Sequence, residues 1–175
     1  MSETKQPEII VEQMQFSEFL YLGVDYIDND STDFVAVWDD FLGPKNGIEA
    51  TKPYIKEPFH HLMVVNYRND EGDEIYMPGF IVENVKETPD GFNLKRFPAC
   101  EFLVVTHTWS TVEVAHNFGI SACGEYARTV EIPQGYIRYD GTNNNSANHV
   151  FLVENHVSET ENGSRHEWWV PIKKA

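Results

Sequence analysis

Positive charge is scarce in this chain: 13 lysines and arginines stand against 28 aspartates and glutamates, for a formal net charge of -15. A protein that grips phosphates needs a basic face, so the balance argues against nucleic acid as a partner. No apolar run approaches the roughly 18–20 residues of a bilayer-crossing helix, and no membrane role is expected. The two cysteines, Cys100 and Cys123, have no metal-binding spacing. His60, His61, His107, His116, His149, His156 and His166 likewise lack the carboxylate or cysteine spacing of a metal site, so no metal is expected. A Gly-rich phosphate loop and a nucleophile elbow are also missing, and no cofactor is implied. The opening residues are charged and carry no apolar signal core, so a cytoplasmic chain with reduced thiols is expected. The Asn-x-Ser matches at Asn29, Asn144 and Asn162 then have no meaning.

The acidity is spread along the whole length, which reads first as solubility. Asp70-Glu71-Gly72-Asp73-Glu74 departs from a calcium loop and reads as a solvated turn.

What the chain does have is a hydrophobic fraction of 41% and an aromatic fraction of 13%, enough for one ordinary domain. Residues 1–7 are expected to be a flexible N-terminus. A strand is expected through Phe16 to Ile27, with an earlier piece at Ile9-Ile10-Val11. Ser31-Thr32-Asp33 offers helix N-caps before Phe34, Val37, Trp38, Phe41 and Leu42, whose spacing marks one helical face that Gly43-Pro44 ends. Leu62–Tyr67 and Ile75–Val82 read as a hairpin around the acidic turn. Glu87-Thr88-Pro89-Asp90-Gly91 breaks the chain, and the order then recurs. Ala99–Thr108 is a strand, and Ala115, Phe118, Ala122, Tyr126 and Val130 share a helical face. Val150–Val157 and His166–Ile172 are the closing strands. The expected fold class is α+β: tandem strand–helix–strand–strand repeats over about 8–88 and 89–174, in antiparallel sheets with helices on one side and a groove between the units.

Glu154 stands out in this frame, an acid inside the otherwise apolar run Val150–Val157. A carboxylate there is costly to ionise unless it gains a partner. Strand alternation groups Val150, Leu152, Glu154 and His156 on one side. One reading places Glu154 on a pocket floor with Tyr76, Phe80, Trp109 and Trp169 or its neighbour as walls, a receptor for hydrophobic or cationic small molecules. The plainer reading makes each ring a core residue, most of all Trp38 on its helix's apolar stripe. It leaves Glu154 at an edge or paired with Arg138 or Arg165.

Several segments, taken in order, resemble the GyrI-like small-molecule-binding domain, also the effector-binding domain of AraC-type and MerR-type multidrug regulators. They are Val37-Trp38-Asp39-Asp40-Phe41, Tyr76-Met77-Pro78-Gly79-Phe80-Ile81-Val82-Glu83, and Pro89-Asp90-Gly91-Phe92 leading to Phe97-Pro98-Ala99. Phe102–His107, Ile132-Pro133-Gln134-Gly135-Tyr136, Val153-Glu154 and Trp169-Val170-Pro171-Ile172-Lys173 complete the match from about residue 8 to 174. The resemblance implies two SHS2-type units about a pseudo-twofold axis with a ligand groove between them. It places the acid that contacts cationic drugs at Glu154, with Tyr76, Phe80, Trp109, Trp169, His156 and Trp38 as ligand-binding candidates. It implies a stand-alone binder that senses or sequesters a hydrophobic cation. Some relatives instead hydrolyse strained cyclopropane-type toxins, which would make Glu154 and Tyr76 catalytic. Others act as gyrase-inhibitor-like modules with a protein partner. This chain departs from the pattern where His156 replaces a tyrosine two residues after the acid.

Overall fold

Asp33 settles where the first helix begins. Its carboxylate accepts from the backbone N–H of Val35 at 3.0 Å and Ala36 at 3.1 Å, which satisfies two donors that the first helical turn cannot. Helix α1 (Phe34–Leu42) runs until the Gly43 N–H donates to the Asp39 carbonyl, with Pro44 next. Val37 and Phe41 are its buried residues. Removing the cap by Asp33→Ala is expected to lower stability by about 1 kcal/mol, read as a reduced midpoint in urea.

The computed structural model describes residues 6–111, 115, 120–139, 149–160 and 163–175. The first five residues, Phe118 and the Asn143–Asn145 loop fall outside them. Before α1 come β1 (Glu8–Phe16), β2 (Phe19–Gly23) and β3 (Tyr26–Ile27). After it come α2 (Gly47–Thr51), a 3-10 turn (Lys52–Tyr54), β4 (Met63–Arg68), β5 (Glu74–Val82) and β6 (Asn93–Phe97). The chain continues through β7 (Cys100–Trp109), α3 (Ile120–Thr129), β8 (Tyr136–Arg138), β9 (His149–Thr160) and β10 (Gly163–Lys174).

The ten strands among the described residues join one antiparallel sheet, ordered β1-β7-β10-β9-β4-β5-β2-β6, with β3 on β5 and β8 on β10. The seam is the β4–β9 ladder. Outward from it the order reads β4-β5-β2 on one side and β9-β10-β7 on the other. Strand–helix–strand–strand therefore occurs twice, as β2-α1-β4-β5 and β7-α3-β9-β10, and the α+β class is as the sequence implies. The outermost strands cross over. β1 opens the chain yet pairs along its length with β7, and β6 pairs with β2.

Two irregularities decide which side chains share a face. In the β4–β9 ladder Asn66 faces Leu152 but Tyr67 faces Val150, leaving Phe151 as an extra residue. The expected set of Val150, Leu152, Glu154 and His156 is thereby corrected. Val150 turns to the face of Val153, while Leu152 packs with Trp168 beneath α3. In the β9–β10 ladder a second shift skips Val157, so His166 faces His156 and Trp168 faces Glu154.

α3 also differs from its expected stripe. Cys123 and Ala127 are fully buried, whereas Ala122 and Tyr126 are exposed. Small residues face the sheet because the helix sits close: a Cβ on Gly124 would lie 3.1 Å from the Trp168 ring. Among the described members of the expected stripe, Ala115 is buried and Val130, just past the helix end, packs against the same cluster, so only Ala122 and Tyr126 depart from the inward side. On the sheet's other face, rings from both ends of the strand order meet. Phe16 lies 5.5 Å from Phe19 and 5.1 Å from Trp169, and Phe19 lies 5.3 Å from Phe97.

Candidate functional site

Between α1 and α3, over the β4–β9 seam, lies a cavity of about 640 Å³. α1 contributes Phe34 and Trp38, and β5 contributes Tyr76. Gly124, Glu125 and Arg128 come from α3, Glu154 and His156 from β9, and Trp168 from β10. The helical spacing that buries Val37 and Phe41 leaves Phe34 and Trp38 on the flank of α1 that looks across the sheet. Trp168 is here because it pairs directly with Glu154.

The rings are set nearly edge to face. Phe34 lies 4.9 Å from Tyr76 at 63°, and Trp38 lies 6.2 Å from Tyr76 at 90°. Trp38 is also 6.0 Å from His156, whose ring is 4.9 Å from His166. Burial, the nearby Glu154 charge and Asp28 raise the Tyr76 pKa well above its ordinary value, against a smaller opposing hydrogen bond with Trp38. Tyr76 is therefore a neutral hydroxyl at any physiological pH.

Glu154 retains some surface toward solvent. Even so, the protein around its carboxyl strips away most of its hydration, and this desolvation pushes the pKa from 4.5 up to about 7. His156, a hydrogen bond from Asn66 and the Arg128 charge pull the other way, while Asp28 pushes it up further. The carboxyl is thus poised: close to neutral pH it is half ionised, and a cation brought beside it favours the charged form.

Of the residues singled out in the sequence, Glu154, Tyr76, Trp38 and His156 line this cavity. Phe80 is buried in a separate cluster with Leu22 and Phe41. Trp109 is buried beneath α3, 5.7 Å from both His107 and His166. Trp169 points to the opposite face, among Phe16 and Phe102. Phe34, Gly124, Glu125 and Arg128 are lining residues that the sequence did not single out, and of the two C-terminal tryptophans it offered as a wall, Trp168 is the one in place. Paired tryptophans on a strand must face opposite ways, so one of Trp168 and Trp169 had to join Glu154. The shift past Val157, which has no local sequence signal, makes it Trp168.

Cys100 and Cys123 play no part in the cavity wall, and burial pushes their thiols up to about 11 and about 12. Among the described residues no group of three or more His, Cys, Asp and Glu side chains is placed to hold a metal. None of the described helices is long and apolar enough to cross a membrane.

No protein-family model matches the sequence. No curated protein matches it either. Solved structures do match. SAV2435 bound to tetraphenylphosphonium superposes with a TM-score of 0.66 at 11% identity, over 94% of each chain. The C-terminal domain of EcmrR gives 0.51 at 12%, over 97% of this chain and 99% of that one. An integron cassette protein from the mobile metagenome of Vibrio cholerae gives 0.55 at 10%, over 93% and 95%. At such low identity the likeness establishes the fold, and the chain has the fold shared by these proteins, in keeping with the GyrI-like resemblance of its sequence.

Proposed function

We propose that this chain binds hydrophobic cations in the cavity between α1 and α3, as a sensor or sequestering protein. The observation that carries the reading is Glu154, a poised and poorly hydrated carboxyl in a cavity walled by Phe34, Trp38, Tyr76 and Trp168. Ring faces and an anion together suit a diffuse positive charge, each ring contributing on the order of 0.5–2 kcal/mol. The walls supply apolar contact without a hydrogen-bond pattern that would demand one particular ligand. Arg128, on the cavity wall, already offsets a small part of the Glu154 charge, which leaves most of it for an incoming cation. That SAV2435, of the same fold, has been solved bound to tetraphenylphosphonium supports the class of ligand.

The test is calorimetric titration with tetraphenylphosphonium across pH. Glu154 must ionise to attract the cation, so affinity is expected to rise through its pKa of about 7. From pH 5.5 to pH 8 the gain should be about tenfold, with proton release on binding near pH 7. Absence of binding, or an affinity flat with pH, sinks the proposal.

A further inference from the structure

β9 and β10 are used on both faces. Opposite Glu154 and Trp168, their alternate residues Asn155, Val157, Arg165, Glu167 and Trp169 border a second cavity of about 610 Å³. Its other walls come from β1, including Phe16, from Val104 on β7, and from the Pro58–His61 segment. The apolar part is continuous: Phe16 lies 5.3 Å from Phe59 and 5.1 Å from Trp169.

The polar part is held rigid by one carboxylate. Glu167 Oε2 accepts from Trp169 Nε1 at 3.1 Å and from Asn155 Nδ2 at 3.0 Å. Its Oε1 accepts from Arg165 Nη2 at 3.0 Å. Donating its amide to Glu167 fixes the orientation of Asn155. Its Oδ1, in a residue 7% exposed, is then a buried acceptor with no hydrogen-bond partner among the described residues. Leaving such an acceptor unmet is unfavourable, and a donor reaching it recovers that loss. Glu167 Oε1, with a single partner, also has room for another donor. Glu12 adds a second carboxylate to the wall. His61 does not oppose a cation: burial, then the His60 charge and Arg165, hold its pKa below the ordinary value despite Glu167. An Asn155 Oδ1 without a donor and a Glu167 Oε1 with room for a second, set against an apolar wall, ask for an N–H-bearing head on an apolar body.

We propose that this face is a second binding site, for small apolar amines whose ammonium group meets Glu167 and Asn155 while the body lies against Phe59, Phe16 and Trp169. It is independent of the cavity between the helices, and tetraphenylphosphonium, which has no N–H group, is not its ligand.

The probes are tryptamine and indole-3-propionic acid, which share a body and carry opposite heads. The readout is the indole N–H resonance of Trp169, assigned by its loss in Trp169→Phe. Tryptamine is expected to shift that resonance saturably, and the acid is not. Phe59→Ala should weaken tryptamine roughly tenfold, and leave tetraphenylphosphonium binding as in the parent protein. Glu154→Gln should leave the tryptamine shift unchanged. A Trp169 resonance that does not move, an acid that binds as well as the amine, or a Phe59→Ala variant with full tryptamine affinity each overturns the proposal. Failure of tetraphenylphosphonium to bind, with the Trp169 shift intact, removes the cation reading of the first cavity and leaves this one standing.

Discussion

At pH 8, Glu154→Gln is expected to weaken tetraphenylphosphonium by about 30-fold and a neutral aromatic of similar size by less than about threefold. Glutamine keeps the shape and the capacity to accept from Asn66 but removes the charge. The cation loses its Coulombic partner and keeps the rings of Phe34, Trp38, Tyr76 and Trp168. Arg128 sharpens the loss, since without the carboxylate it faces the ligand as an uncompensated like charge. The same variant should be more stable than the parent above pH 7. Between the ordinary carboxylate pKa of 4.5 and about 7, the unfolded chain releases a proton that the native state retains. Stability therefore falls as pH rises through that window and stays low above it, and glutamine is exempt. The gain is about 1–3 kcal/mol in the urea midpoint analysis at pH 8. Loss of binding with gain of stability cannot arise from misfolding. Equal loss for cationic and neutral ligands would remove Glu154 from the proposed role.

Gly79→Ala is expected to destabilise the fold by about 3 kcal/mol or more. Gly79 on β5 pairs with Gly23 on β2. A Cβ at Gly79 would collide with the Leu22 carbonyl oxygen and stand 2.7 Å from the Gly23 Cα, while one at Gly23 would collide with the Pro78 carbonyl oxygen. All of these are backbone atoms, which cannot swing aside as a side-chain tip can. β2 must then move off β5, and it carries Leu22 and the approach to α1 with it. A urea midpoint within about 1 kcal/mol of the parent would show that the close approach is easily relaxed.

The strands that alternate or run apolar, such as β4, β5 and β7, are legible from their residues because the core pays attention only to which side is greasy. α1 is legible for a second reason, the agreement of an Asp33 cap, an apolar stripe and a Gly43-Pro44 stop. β6, with Asn93, Lys95 and Arg96 in five residues, has no such pattern, and its strand state comes from pairing with β2. The candidate site was legible as chemistry rather than as geometry. Glu154, Tyr76, Trp38 and His156 could be singled out as an unusual acid and its possible partners. Phe80 and Trp109 look just as eligible by type, and only three-dimensional packing puts them in other clusters. Phe34 and Arg128 carry no local oddity at all, being ordinary residues on helix flanks.

The crossing of the outermost strands has a consequence for how the chain is made. β1 emerges first, bearing Ile9, Ile10 and Val11, which stay 39%, 48% and 42% exposed even in the finished fold. Its partner β7 begins only at Cys100, so β1 must wait unpaired while the whole of the first half is synthesised. Pairing across such a sequence separation slows folding and lengthens the time an unprotected edge is offered to other chains. Neither half is a self-sufficient piece: cutting between β5 and β6 would strand β1 with the wrong fragment and take β6 from β2. The repeat that organises the sheet is thus locked into one cooperative unit by the two strands that do not obey it.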